Sequence, residues 1–169
     1  TRDRDLLVQR DAIVGLGRLG TPQAVEELHR LLTRREEPIR ETAIRGLCQR
    51  HVSEATRYID DESVVVRRSL AASLAERPTT DSVRLLEQLI VDRDPSVQIA
   101  AVESCRPWPD QWAVPVLYSG LIDGYLSTRQ NSFDQLQRRT DTVSTFPHEA
   151  SRNERQQAAR DFCDQQQLT

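Results

Sequence analysis

Residues 15–20 read GLGRLG, and the fold turns on what those three glycines do. The letters fit G-x-G-x-x-G, the phosphate-cradling turn of dinucleotide-binding folds, which must follow a strand and open a helix. Here the stretch continues a helical pattern. Val8, Ala12, Ile13 and Leu16 stand at offsets of 0, 4, 5 and 8, one face of a helix with 3.6 residues per turn. The pattern runs straight through Gly15 and Gly17. The acidic residues about twenty positions further on, Glu36 and Glu37, sit in a loop before Pro38 and do not follow a second strand. The dinucleotide reading therefore lacks its context.

The same four-position face recurs along the chain. Its anchors are Val8, Ile39, Val66, Val97 and Thr128, separated by 31, 27, 31 and 31 residues. A second apolar face follows each of the first four: Val25, Leu28, Leu31 and Leu32; then Val52, Ala55, Tyr58 and Ile59; then Val83, Leu86, Leu89 and Ile90; then Val114, Leu117, Gly120 and Leu121. Each second anchor precedes the next first anchor by 14 residues, so the four residues missing from the second repeat belong near Gln49–His51. Four residues are about one helical turn, and their loss keeps both faces in phase. Self-similarity at a fixed period is the mark of a helical-repeat architecture.

Aligning the repeats gives the glycines another purpose. Gly46, Ser73 and Ser104 follow Gly15 in its slot, while Cys48, Ala75 and Arg106 follow Gly17. A slot kept small in four repeats predicts a close backbone approach at Gly15, offsetting the cost of about 1 kcal/mol for glycine inside a helix. Gly20 fits a left-handed helix terminator. Thr21-Pro22, Pro38 and Asp94-Pro95 read as helix starts, and Ser151 with Glu154 as a capping box. The expectation is an all-α fold, an α-solenoid of about five stacked antiparallel helix pairs. One domain spans 1–169, with repeats near 5–33, 38–60, 63–91, 95–123 and 126–139 and a closing helix at 151–167. With no Met in the sequence, the chain is expected to be a segment of a longer protein.

Composition narrows the function classes. The formal net charge is −3, with 23 basic residues, all of them Arg, so no global field favours nucleic acid or an anionic membrane. No apolar run approaches the length of about 20 residues that a membrane helix needs. The cysteines Cys48, Cys105 and Cys163 are odd in number and far apart, arguing against a disulfide framework or zinc site and favouring a reducing, cytoplasmic compartment. Cys105 fills a leucine core slot.

No catalytic triad, paired-carboxylate cleft, cofactor site or metal-ligand cluster emerges. Arg40, Arg67 and Arg129 each follow an anchor and are expected to pair with loop acids such as Asp60, Asp61, Asp92 or Asp123. The stretch RPWPDQW at 106–112 places Trp108 in a core slot and Trp112 early on a second helix, at the surface. His29 reads as a solvated flank residue. The exposed second-helix side chains alternate in sign, without the basic stripe and aromatic platforms of a nucleic-acid reader. Glu26, Glu27, Arg30, Arg57, Arg84, Glu87 and Trp112 are the candidate contacts for a protein partner.

The openings IRETAIRGL at 39–47, VRRSLAASL at 66–74 and VQIAAVESC at 97–105, with RLGTPQAVEELHRLL and the DRDP loop, resemble the HEAT-repeat family in its short version, of the type also found in PBS lyases. The tail, with ERQQAARDF, is similar to the closing segment of some bacterial HEAT-like arrays. The resemblance implies a non-catalytic scaffold that binds a protein along a concave surface of second helices. Its alternatives are a lyase-like or chromophore-handling domain, or Arg-mediated nucleic-acid binding. The relatives also include an iron-dependent hydroxylase, which needs several His-Glu pairs, whereas this chain has His148-Glu149 alone.

Overall fold

The computed structural model describes the backbone from Arg2 to Leu168 and side chains from Leu7 onward. All regular structure among the described residues is helical. The elements are α1 (Arg2–Leu19), α2 (Pro22–Leu32), α3 (Glu37–Cys48), α4 (Val52–Ala55), α5 (Val64–Ser73), α6 (Thr80–Leu89), α7 (Pro95–Ser104), α8 (Asp110–Asp123), α9 (Leu126–Thr140) and α10 (Arg152–Gln165). A 3₁₀ turn, Thr56–Tyr58, prolongs α4. First and second helices alternate as the periodicity requires, and neighbouring helices pack as in a helical-repeat solenoid.

Local chemistry starts these helices, at Thr21 and Asp94 where the sequence marks them and at Thr79 where it was not singled out. The side chains of Thr21, Thr79 and Asp94 accept hydrogen bonds from the amides of Ala24, Ser82 and Ser96 at 3.3, 3.2 and 2.9 Å, satisfying donors a helix leaves unpaired. Ser151 and Glu154 form the reciprocal capping box of α10. Gly20, at φ 60°, ends α1 in the left-handed region. The short second repeat loses its turn from the second helix. There α4 begins at its own anchor, Val52, while α2, α6 and α8 begin three or four residues before theirs.

The chain forms two compact units, one ending at Leu74 and the other beginning at Ala75. The boundary falls in the inner turn of the third repeat, between α5 and α6.

In the first unit, α1, α3 and α5 are parallel first helices. A Cβ added at Gly17 would lie 2.6 Å from both Cα and O of Gly46. The close approach therefore belongs to the Gly17 slot of one repeat meeting the Gly15 slot of the next, which corrects the expectation that Gly15 itself is crowded; a Cβ there would meet nothing within 4 Å. A second correction has the same cause. Ile13 is buried, but Val8 is 63% exposed and Ala12 is also exposed, because α3 covers only the Ile13–Gly17 flank of α1. The later repeats follow expectation, with Ala43, Ile44, Leu47, Leu70, Ala71 and Leu74 buried.

In the second unit, α7 and α9 run parallel. Thr128 Oγ1 and the Tyr125 amide donate to Gln98 Oε1, Gln135 Nε2 donates to Val102 O, and Arg139 Nη2 to Cys105 O. Trp108 is buried, its indole donating to Ala75 O at 2.8 Å. The closing helix α10 packs on α8 in the opposite direction. Arg152 near its start pairs with Asp123 at the end of α8, and Arg155 donates to Ile122 O at 2.7 and 2.9 Å. Asp141, at φ 49°, ends α9, and the returning loop places Phe146 and His148 against Phe133, with Phe162 of α10 completing the aromatic cluster. This reversal distinguishes the closing segment from the second helix of a regular repeat.

Candidate protein-interaction surface

Second helices carry their apolar residues inward at helical spacing, which leaves the intervening polar residues outward. In the first unit Leu28, Leu31 and Leu32 are buried, while Glu26, Arg30 and Arg57 are exposed and Glu27 is half-buried. Two of the expected contacts neutralise each other. Arg30 Nε and Nη2 donate to the two carboxylate oxygens of Glu27 at 2.7 and 2.5 Å, a bidentate pair on one helical turn. Arg30's hydrogen bond holds the Glu27 carboxyl below its ordinary range. Arg57 pairs with Glu54 at 3.1 Å in the same i,i+3 fashion.

His29 is not a solvated flank residue. Its Nδ1 is 2.6 Å from Tyr58 Oη, its ring stacks on the Tyr58 ring, and Nε2 lies 3.5 Å from Glu54. It thus ties α2 to the second helix of the next repeat, with burial pushing the Tyr58 phenol above its usual range. The sequence lacked this signal because Tyr58 had been assigned to the apolar face, where it is only half-buried.

In the second unit Arg84 is exposed and Glu87 and Trp112 are half-buried. Among the described residues, Glu26, Arg84 and Glu87 carry no ion pair. Trp112 projects from α8 well over 100° round the axis from Asp110, Val114 and Tyr118, at 100° per residue. Those three line a groove of about 440 Å³ between α8 and α10, with Pro115, Arg160 and Cys163. Sequence reasoning missed this groove because it depends on the reversed path of α10.

Of the anchor-following arginines, Arg40 behaves as expected. It is 5% exposed, donates bidentately to Asp61 at 2.9 and 3.0 Å and also to the carbonyls of Arg34 and Arg35. Asp61's hydrogen bond raises the Arg40 pKa. Arg67 donates to the carbonyl of Asp61 at 2.7 Å. Arg129 departs from expectation by donating to the carbonyl of Gly124, not to a loop acid, because the acid at the end of α8, Asp123, is bound by Arg152. Burial, then the charge of Arg155, lowers its pKa. The contacts named for Arg40, Arg67 and Arg129 are to backbone carbonyls and an acid of their own unit.

The thiols are equally inward. Cys48, Cys105 and Cys163 are buried and joined by no disulfide among the described residues, and burial pushes Cys105 up to about 12. Among the described residues there is no cluster able to hold a metal ion, and no helix is long and apolar enough to cross a membrane.

Parallel first helices within each unit, recurring at 31 or 27 residues, with polar second-helix faces, define a helical-repeat protein. The chain belongs to the HEAT-repeat family: the family model for HEAT repeats matches residues 52–136, and the model for the PBS lyase HEAT-like repeat matches residues 8–34. None of the curated proteins and none of the solved structures matches the chain. HEAT repeats generally mediate protein interaction or scaffolding, and the family is generally non-catalytic.

Proposed function

We propose that the chain is a non-catalytic scaffold that binds a protein partner through its second-helix side chains Glu26, Glu27, Arg30, Arg57, Arg84, Glu87 and Trp112. The observation that carries this reading is the presence of outward charges of both signs without internal ion pairs: Glu26 on α2, Arg84 and Glu87 on α6. Such charges are free to pair across an interface, where complementarity sets specificity and association rate more than affinity. Trp112, half-buried on α8, supplies the aromatic type enriched at binding hot spots.

Reversing Glu26, Glu27, Arg84 and Glu87 together tests the surface. Partner recovery in a pull-down should fall at least tenfold while the helical circular-dichroism spectrum and Tm hold. Unchanged recovery from the folded variant contradicts this surface. The groove between α8 and α10 favours one second reading, the handling of a flat apolar chromophore. Titration with a bilin separates the two, since the scaffold reading predicts no saturable absorbance change.

A further inference from the structure

The repeat register supplies an internal control for the first helix. In α3 the slot seven residues after the anchor is Gly46, and a Cβ there would stand 3.3 Å from Ile13 O and 3.7 Å from Gly17 Cα, atoms of the preceding first helix. In α1 the same slot is Gly15, and nothing lies within 4 Å of its Cβ position. The anchor slot repeats the contrast: Val66, Val97 and Thr128 are fully buried and Ile39 is half-buried, whereas Val8 is 63% exposed.

In the second, fourth and fifth repeats the slot eleven residues after the anchor reaches back to the end of the preceding first helix; in the third it holds Arg77, which is exposed. Arg50 lies against Gly20, Trp108 donates to Ala75 O, and Arg139 donates to Cys105 O and Arg106 O. Leu19 holds that slot in α1 and is 67% exposed. Val8, exposed Ala12 and Leu19 make an apolar stripe along one face of α1, dipping at Gly15, with Leu7, 58% exposed, about 100° round the axis from Val8. Contiguous exposed apolar surface of this kind marks an interaction site.

We propose that this stripe seats a further hairpin of the same repeat, continuous with α1 in one polypeptide, its first helix parallel to α1 with a small residue over Gly15. The face continues the interface already formed by α1 and α3, where Gly17 meets Gly46. First helices within each unit are parallel and joined through an intervening second helix, an arrangement that a covalently preceding hairpin reproduces. A second copy of the chain lacks that covalent link, and whether it takes the hairpin's place is read by sedimentation below. The inference goes beyond the second-helix surface and stands or falls separately from it.

Tandem duplication of residues 6–36 ahead of Leu6 continues the 31-residue register and brings a second Gly17 over Gly15. The duplicated protein should show a Tm several degrees higher and at least tenfold slower hydrogen exchange in α1. Gly15→Leu should remove both gains there while leaving the Tm of the 169-residue chain unchanged or raised. The same α1 amides, followed in the gene product as its own cell makes it, should be protected, and Gly15→Leu should abolish that protection. Unprotected α1 in either protein overturns the proposal. So does a dimer of the 169-residue chain, seen by sedimentation and abolished by Gly15→Leu, since a second copy would then be the occupant.

Discussion

An alanine methyl at Gly17 would press within 2.6 Å of the Gly46 backbone, whereas at Gly15 it would enter open space. Alanine stabilises a helix interior by about 1 kcal/mol relative to glycine, while overfilling a close contact costs about 1–3 kcal/mol. Gly15→Ala should therefore raise the urea midpoint, and Gly17→Ala should lower it although the two sites share one helix. Equal midpoint shifts would show that the helices do not meet at Gly17. The sequence identified glycine as a packing residue but assigned the contact one slot too early, because the stagger between successive first helices is a three-dimensional quantity. His29 and Arg129 were misread for a related reason: a side chain's partner on the next helix depends on rotation about the axis, which spacing within one helix does not set.

At the scale of elements, the caps at Thr21, Asp94 and Ser151 and the glycine terminator were legible because each is a local chemical event, whereas the shortness of the fourth helix was not. The closing segment was legible only as a loop and a helix. Its path is fixed by non-local groups, Arg152 and Arg155 at the end of α8 and Phe146 and His148 on Phe133. His148 gives that segment a pH dependence. Its Nδ1 is buried without a hydrogen-bond partner; burial, then the charge of Arg129, pushes the imidazole below its ordinary value of 6.5, against a smaller opposing pull from Asp134. The folded state thus prefers neutral His148. The stabilisation is complete above the unfolded pKa of about 6.5 and is lost as pH falls through it toward the depressed folded value. The Tm of the parent protein should decline more steeply below pH 6.5 than that of His148→Phe. Parallel curves would show that the imidazole is not held in this environment.

For the molecule as a whole, the fold was legible because one solution, stacked hairpins, buries an apolar face that returns every 31 residues. The proposed interaction surface was legible only as exposed residue types. Which charges stay free and which pair, as Glu27 does with Arg30, was decided by side-chain geometry. Nor did periodicity reveal that the chain divides at Leu74, since the repeat pattern runs across that point.

The central claim is that successive first helices within a unit pack one repeat apart in register, and the glycines that opened the question report on it most directly. Nuclear Overhauser spectroscopy of the 169-residue chain should give sequential amide–amide contacts through Gly15–Gly17, as a helix requires, and a strong Hα–Hα cross-peak between Gly17 and Gly46. Extended-chain sequential contacts at Gly15, or a helical α1 with no Gly17–Gly46 cross-peak, would contradict it.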